Sequence, residues 1–491
     1  MIKQRNWILV GFLLLTFAIF FLFYTASYPI FPTDMDDWAY LYPRRAAVPI
    51  WKSWNPIRVF AEVAMPAVSM ASSLMFRPLT GNIFSAMMIG FALCMASAMT
   101  ALTGALWRML QEKSISVSQI VFWVSFFLLS HFWIFRTEYQ HNSYMLRTSD
   151  ACTYFFYVIP NLMNSIAVLW MESDLDLRTL TSSNGFSLKK SIFFLLCYFC
   201  IFSNIWAGMI LAAYLGSILV IGTASALRKK KRFRIWFTEN SMVLLLLALW
   251  LLSQVFELNG YRAMEATENR TLEIRETILL IPSILRSMNR RYLITTGVLL
   301  LGGLAALMRS KDRSVLHMVG IWTLAGFFCV LYLILSCAKV GPSYIRRPDV
   351  FYGLFFFLTV IVLMTGSALV KRVSFLKLVM PLVLVIILSD CNSPGRTWGY
   401  STVHGISPRI VNNINNDIVD QLKEAERNCM DSVRIFIPKM EGIDNGLYNV
   451  RGNEIVGETM WKLGVLEKNI IVEELVPSED KNYLLETGPL S

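Results

Sequence analysis

The chain has 491 residues, of which 55% are hydrophobic and 16% charged, and carries a net charge of +11. A soluble protein of this size would place about a quarter of its residues in charge, so a soluble enzyme is excluded. The basic balance follows the positive-inside rule of membrane proteins and does not call for nucleic acid as a partner.

Several nearly uncharged runs indicate a polytopic membrane protein. Backbone groups in lipid must pair internally, so these runs are helices rather than strands. The first, about 7–25, follows Lys3 and Arg5 and is retained as a helix, because no small-residue cleavage site follows it. The segment 26–80 then lies outside. It is acidic at first, then mixes Trp51, Trp54, Phe60 and Met65 with polar residues, the composition of short interfacial helices, and Pro49, Pro56, Pro66 and Pro78 divide it.

Further spans are expected at about 83–107, 117–135 and 152–171. The run 191–226 is too long for one ordinary span and short for two. Lys189-Lys190 precedes it and Arg228-Lys229-Lys230-Lys231-Arg232 follows it. Two basic ends on one side require an even number of crossings, so two short helices are expected, turning near Ser203-Asn204. Spans at about 240–256, 292–308, 315–336, 351–370 and 375–389 complete about eleven crossings, with 257–291 read as a polar outside segment. The N-terminus is then inside and the C-terminus outside.

The tail 391–491 is polar. Ile410, Ile414, Ile418 and Leu422 form one apolar helix face, Val433, Ile435 and Ile437 alternate as in a strand, and 469–475 reads as a second strand. The expected fold is thus an all-α transmembrane module over 1–390 with interfacial helices in 26–80, plus a small α/β domain over 391–491. Of the eight cysteines, most lie in apolar runs. Cys391 and Cys429 share the tail and could pair in an oxidising compartment.

Candidate chemistry begins with Asp34-Met35-Asp36-Asp37-Trp38-Ala39-Tyr40, three carboxylates in four residues just past the first span. One of Asp34, Asp36 and Asp37 could act as a general base. Asp34 and Asp36 could also share one divalent cation, Mg or Mn, although three carboxylates alone are weak metal evidence. Trp38 and Tyr40 suit sugar stacking and equally an interfacial belt. The plain alternative for the whole stretch is a solvated turn or a helix N-cap.

The outside segments before the tail are rich in arginine and poor in lysine, with Lys52 and Lys339 the lysines there. Arginine suits bidentate phosphate or carboxylate recognition, although pairing with nearby glutamates such as Glu62 and Glu257 is the alternative for many. Tyr344-Ile345-Arg346-Arg347-Pro348-Asp349 begins a span and is the favoured phosphate clamp, with Arg58 and Arg262 as further candidates. Glu257-Leu258-Asn259-Gly260-Tyr261-Arg262 reads as a sugar-hydroxyl site or a plain salt bridge. His141, in Tyr139-Gln140-His141-Asn142, could meet an acceptor sugar, and is more often a surface residue. Asn204 with Trp206 could face a cavity or simply pack helices.

The acidic Asp34-Met35-Asp36-Asp37-Trp38 motif in the first outside loop, the following segment with Arg58 and Glu62, and a multi-helix body with a soluble C-terminal domain resemble the GT-C class of integral membrane glycosyltransferases. More narrowly, the chain is similar to bacterial and prophage O-antigen-modifying glucosyltransferases of the Gtr type. The resemblance implies inverting transfer of a sugar, often glucose, from an undecaprenyl phosphate donor to lipopolysaccharide O-antigen on the periplasmic face of the bacterial inner membrane. It implies that aspartates of the first outside loop carry catalysis, and that donor lipid, polysaccharide acceptor and membrane lipids are the partners. The alternatives are an O-antigen polymerase, whose large loop more often lies between middle helices, and a lipid-linked saccharide flippase or transporter. A flippase predicts charged residues within spans or repeated halves, and neither is evident.

Overall fold

The computed structural model describes residues 2–33, 35–43, 57–113, 115–135, 145–146, 150–173, 188–258, 273–310, 312–391, 407–439 and 453–486. Each long apolar run becomes a helix. α1 spans Ile2–Leu22 and ends in a π turn, Phe23–Ser27. After α2 (Met35–Tyr40) come a π turn, Phe60–Ala64, then α3 (Met65–Met75) and a single turn, α4 (Arg77–Thr80). The bundle continues with α5 (Ile83–Glu112), α6 (Val117–Trp133) and α7 (Ala151–Ser173), which has a π turn at Tyr154–Val158. It is completed by α8 (Leu188–Ser203), α9 (Ile205–Arg228), α10 (Phe233–Leu258), α11 (Ile274–Ser287), α12 (Arg290–Ser310), α13 (Arg313–Val340), α14 (Pro348–Arg372) and α15 (Leu376–Cys391). Among the described residues, eight helices are long and apolar enough to cross a membrane. The architecture is that of an all-helical polytopic membrane protein.

The expected hairpin in 191–226 is present. Asn164 Nδ2 donates to Cys200 O (3.2 Å) and the rings of Trp170 and Phe193 lie 6.0 Å apart, so α8 runs against α7. Tyr157 stacks on Trp206 (5.9 Å) and the Tyr214 hydroxyl donates to Glu172 (2.7 Å), so α9 runs with α7. α8 and α9 are therefore antiparallel, and Asn204 makes the turn. It adopts an extended conformation and its Oδ1 accepts from Trp206 N and Ala207 N at 2.8 and 3.2 Å, an N-cap for α9.

Other pairs alternate in the same way. His131 and Phe127 on α6 meet Tyr352 and Phe356 on α14 in reverse order. Ser336 and Trp322 on α13 meet Trp206 and Tyr214 on α9, again in reverse order. Thr223 on α9 accepts from Trp236, at the start of α10, while Gly208 lies against Trp250 further along it. One end of the bundle therefore gathers the first residues of α7, α9 and α14 with the last residues of α10 and α13.

The reading of 257–291 as polar is corrected by α11. This helix carries Arg275, Glu276 and Arg286 on one side, yet exposes Ile278, Leu279 and Leu285. Its period is helical, but the charges bounding it dilute the average hydropathy below that of a span. Such a helix suits the plane of a membrane interface. α3 and α4 are helical, within the segment expected to hold short helices, and expose Met70, Leu74, Met75 and Leu79.

The tail adds helices and two strands whose buried side chains are continuous with the core of the bundle. In α16 (Pro408–Arg427) the expected Ile410, Ile414, Ile418 and Leu422 are buried. β1 (Ser432–Pro438) pairs in parallel with β2 (Ile471–Ser478), and α17 (Asn453–Lys462) lies between them in sequence. Gln421 on α16 accepts from Phe436 N and donates to Phe436 O, both at 2.8 Å, which covers one edge of β1. The unit docks on the bundle end defined above. Asn415 Nδ2 donates to Pro32 O (2.8 Å), Asn82 Nδ2 to Asn416 Oδ1 (2.6 Å), and Ser73 Oγ and Arg77 Nη1 to the carbonyls of Leu463 and Gly464 (2.8 Å each). Cys391 is buried and Cys429 exposed, and both are free thiols, so no bridge joins them.

Close helix approach at α12 and α14 requires a small residue. A Cβ on Gly303 would sit 2.3 Å from the backbone of Thr365, which cannot move aside as a side chain would. Gly303→Val is expected to destabilise the bundle by about 1–3 kcal/mol. Thermal unfolding in detergent, followed with a thiol-reactive dye, reads this directly, because Cys429 is the one exposed cysteine of the eight. An unchanged melting temperature would refute the contact.

Candidate functional site

The acidic stretch divides into unlike parts. Asp34 lies outside the described residues. Asp36 is exposed in the first turn of α2. Asp37 is completely buried. Its Oδ2 accepts from Thr33 N (2.6 Å), Thr33 Oγ1 (3.2 Å) and Ala151 N (2.9 Å), and its Oδ1 accepts from Cys152 N (2.6 Å).

The first N–H groups of a helix have no partner within it, and they carry the positive end of the helix dipole. Asp37 supplies that partner to α7 from another part of the chain. Burial pushes its pKa up, to about 7, and the nearby Asp150 carboxylate adds to this. The backbone N–H donors of Cys152, Thr33 and Ala151 pull the other way. A carboxylate with its lone pairs so occupied is a poor base, which corrects its candidacy. Trp38 is corrected too. It is fully buried and packs against Phe84 at 5.3 Å, which leaves no face for a sugar. The capping alternative thus holds for Asp37, although the helix it caps starts 114 residues away.

A cavity of about 430 Å³ opens at this same end of the bundle, among the ends of α9, α10 and α13 and the π turn of α7. That volume falls in the range of small-molecule sites, about 300–1,000 Å³. Arg58 and Glu257 line it and form an ion pair, Nη2 to Oε1 2.5 Å, both side chains about three-quarters buried (21% and 24% exposed). Arg58 adopts φ 63°, a left-handed conformation that costs a non-glycine residue energy and recurs at functional sites. Burial opposes the charge on Arg58, but the Glu257 carboxylate, with help from Glu62 and Tyr40, outweighs it and holds the guanidinium above its usual pKa.

Another part of the lining is aromatic. Trp206 stacks between Tyr157 (5.9 Å) and Tyr344 (5.6 Å), and its Nε1 donates to Ser336 Oγ at 3.0 Å. The Arg347 guanidinium lies over Tyr157 (4.8 Å) and Tyr344 (5.6 Å). Gln254 and Tyr332, joined by a 2.6 Å hydrogen bond, add polar groups. Three π turns, at Phe23–Ser27, Phe60–Ala64 and Tyr154–Val158, end helices or interrupt them near this face, a device frequent at functional sites.

Tyr344 lines the cavity as expected, and Arg58, Glu62 and Glu257 come together from distant segments. Tyr40 stands edge-on to Phe156, a cavity residue, at 5.3 Å. The paired Arg346–Arg347 clamp is corrected. Arg346 is exposed, while Arg347 gives both Nε and Nη2 to Asp349 at 3.2 and 2.5 Å. Burial opposes that charge as well, and Asp349 overrides it, holding the Arg347 pKa above its usual value. Arg262 and His141 lie outside the described residues. Lys339, Gln254 and Tyr332 line the cavity and were not foreseen; a lysine in the last turn of a span, among outside segments otherwise served by arginine, was the available signal. Among the described residues no three His, Cys, Asp or Glu side chains cluster as metal ligands. No protein-family model, curated protein or solved structure matches the chain.

Asp37→Ala would strand the N–H groups of Thr33, Ala151 and Cys152. It is expected to cost about 1–3 kcal/mol per unsatisfied group and to lower the melting temperature clearly. Asp36→Asn, on an exposed carboxylate, should melt with the wild type. Equal melting of all three proteins would contradict the capping role.

Proposed function

We propose that the chain is a GT-C-type glycosyltransferase that moves a sugar from a polyprenyl-phosphate donor to a surface polysaccharide. What carries this reading is the cavity, where a buried arginine–glutamate pair faces a stacked aromatic wall beside the acidic α2. Aromatic faces suit sugar rings, charged pairs suit hydroxyl recognition, and apolar Ile57, Leu335 and Val340 offer a path for a lipid chain.

Of the two described aspartates of the acidic stretch, Asp36 is the open one. It shares a helix face with Tyr40 four residues on, whose ring rests on the cavity wall. On this reading Asp36 takes the proton of the acceptor hydroxyl. The acceptor oxygen bonds to the anomeric carbon as the bond from that carbon to the phosphate oxygen breaks. The phosphate departs with the electron pair, and positive charge at the cavity stabilises it. Glu257 accepts from a sugar hydroxyl, and Arg58 holds Glu257 in place.

The proposal includes eleven crossings of a bacterial inner membrane, with the cavity and tail periplasmic. It is supported by Lys113, Lys189, Lys190, Lys229, Lys230, Lys231, Lys371 and Arg372, all at the helix ends away from the cavity. A periplasm-dependent reporter fused after residue 491 should be active; cytoplasmic activity would reverse the parity. The decisive experiment compares cell-surface polysaccharide with and without the protein. One added side-chain sugar is expected, whereas altered chain length would indicate a polymerase and lost export a flippase. Asp36→Asn should reduce sugar addition by about 100-fold or more, the usual contribution of a positioned base, with membrane insertion intact. Normal modification by that variant would remove Asp36 from the mechanism.

A further inference from the structure

Most of the positive charge around the cavity is already answered by protein. Arg58 is paired with Glu257, and Arg347 with Asp349. Lys339, in the last turn of α13, is different. It lines the cavity, is half-buried, and among the described residues no carboxylate lies within ion-pair distance of its Nζ. A half-buried ammonium on a cavity wall, with no carboxylate in reach among the described residues, can accept an anion.

Asn204, also in the lining, supplies a neutral donor. Its Oδ1 is engaged by Trp206 N and Ala207 N, which fixes the side chain, while its Nδ2 has no acceptor among the described residues. Beside these polar groups stand Leu335, one helical turn before Lys339, and Val340 and Ile205. A cation and an amide next to an apolar wall match a phosphate esterified to a lipid chain.

We propose that Lys339, assisted by the Asn204 amide, binds the phosphate of the lipid-linked donor. The proposal rests on the glycosyltransferase reading above. Arg58 and Glu257 cancel, so the described lining carries one net positive charge, and Lys339 supplies it. Arg58 is then a positioning residue for Glu257 and not the phosphate ligand.

The test uses the full-length protein in phosphatidylcholine nanodiscs, with binding read from the change in intrinsic tryptophan fluorescence on adding probe. The probes are methyl farnesyl phosphate, a diester with one negative charge, and neutral farnesol. The wild type should bind the diester more tightly than farnesol. Lys339→Ala should weaken diester binding by about tenfold or more, the loss of one charge-assisted contact, and leave farnesol unchanged. Lys339→Arg should keep most of the affinity.

Equal diester binding by wild type and Lys339→Ala would overturn the assignment of Lys339 while leaving the donor cavity in place. A wild type that binds neither probe would overturn the cavity reading and this inference together. Displacement of the diester by phosphatidylglycerol added to the nanodiscs would show that Lys339 serves bulk lipid headgroups, and would also overturn the proposal. Matching melting temperatures for the variants exclude unfolding as the cause of any loss.

Discussion

The cavity end of the bundle depends on one carboxylate. Asp37 is removed from water, and such a group is tolerated only where donors replace the lost hydration. The start of α7 presents the reciprocal need, since its first N–H groups have no acceptor within the helix. The four hydrogen bonds to Asp37 meet both needs at once. They fix α2 against the bundle, and the neighbours follow. Trp38 is held against Phe84, its carbonyl accepts from Thr459 of the tail unit at 3.5 Å, and Tyr40 reaches the cavity wall. First loop, bundle and C-terminal unit therefore share one anchor. Double-ended satisfaction of this kind is difficult to dismantle, because removing either partner strands the other.

The two ends of the bundle obey different constraints. At the end remote from the cavity lie basic residues such as Lys113, Lys189, Lys190 and the connection Lys229–Arg232. At the cavity end the backbone departs repeatedly from the α-helix, through three π turns, the 3₁₀ turn Pro342–Arg346 and the left-handed Arg58. Non-helical backbone at membrane depth is tolerated where protein or water covers it, so a helical bundle confines such freedom to its ends. Three of the described arginines at this end are matched by carboxylates, in Arg58–Glu257, Arg347–Asp349 and Arg291–Asp390, and Arg77 by backbone carbonyls, while Arg275, Arg286, Arg290 and Arg346 are exposed. Part of the arginine excess seen in the sequence is thus answered by protein.

Periodicity and charge parity made much of the fold legible. The hairpin at Ser203–Asn204 followed from basic residues on both flanks of 191–226, an argument about sidedness that needs no contact information. Helix 408–427 and the two strands followed from spacings of four and two. What escaped were features set by partners far along the chain. Asp37 looked like a catalytic acid because its own neighbours are acids and aromatics, and nothing local announces the N–H groups of Ala151 and Cys152. Arg58 and Glu257 were both singled out, but their pairing across 199 residues was not. Arg347 read as a free clamp because Asp349, two residues on, reaches it only once the start of α14 sets the angle. α11 was missed for a different reason: an amphipathic helix has neither the run of a span nor the composition of a loop.

On the proposed reading, the division between paired and unpaired charges also assigns roles. A residue locked in an ion pair keeps a fixed position and a fixed protonation state, which suits orientation of a ligand and is unhelpful for proton transfer. Glu257 beside Arg58 is of this kind. Proton transfer needs a carboxylate whose lone pairs are open, and Asp36 has that property where Asp37 does not. Anion binding needs a cation whose field is not already neutralised, and Lys339 has that property where Arg347 does not. On that reading the acidic motif combines a structural residue, Asp37, with a functional neighbour, Asp36, while the arginine motif supplies a structural residue, Arg347, and the open cation comes from Lys339 on another helix. Sequence adjacency concealed the difference because a carboxylate or guanidinium takes its role from the groups that face it, and those come from other helices.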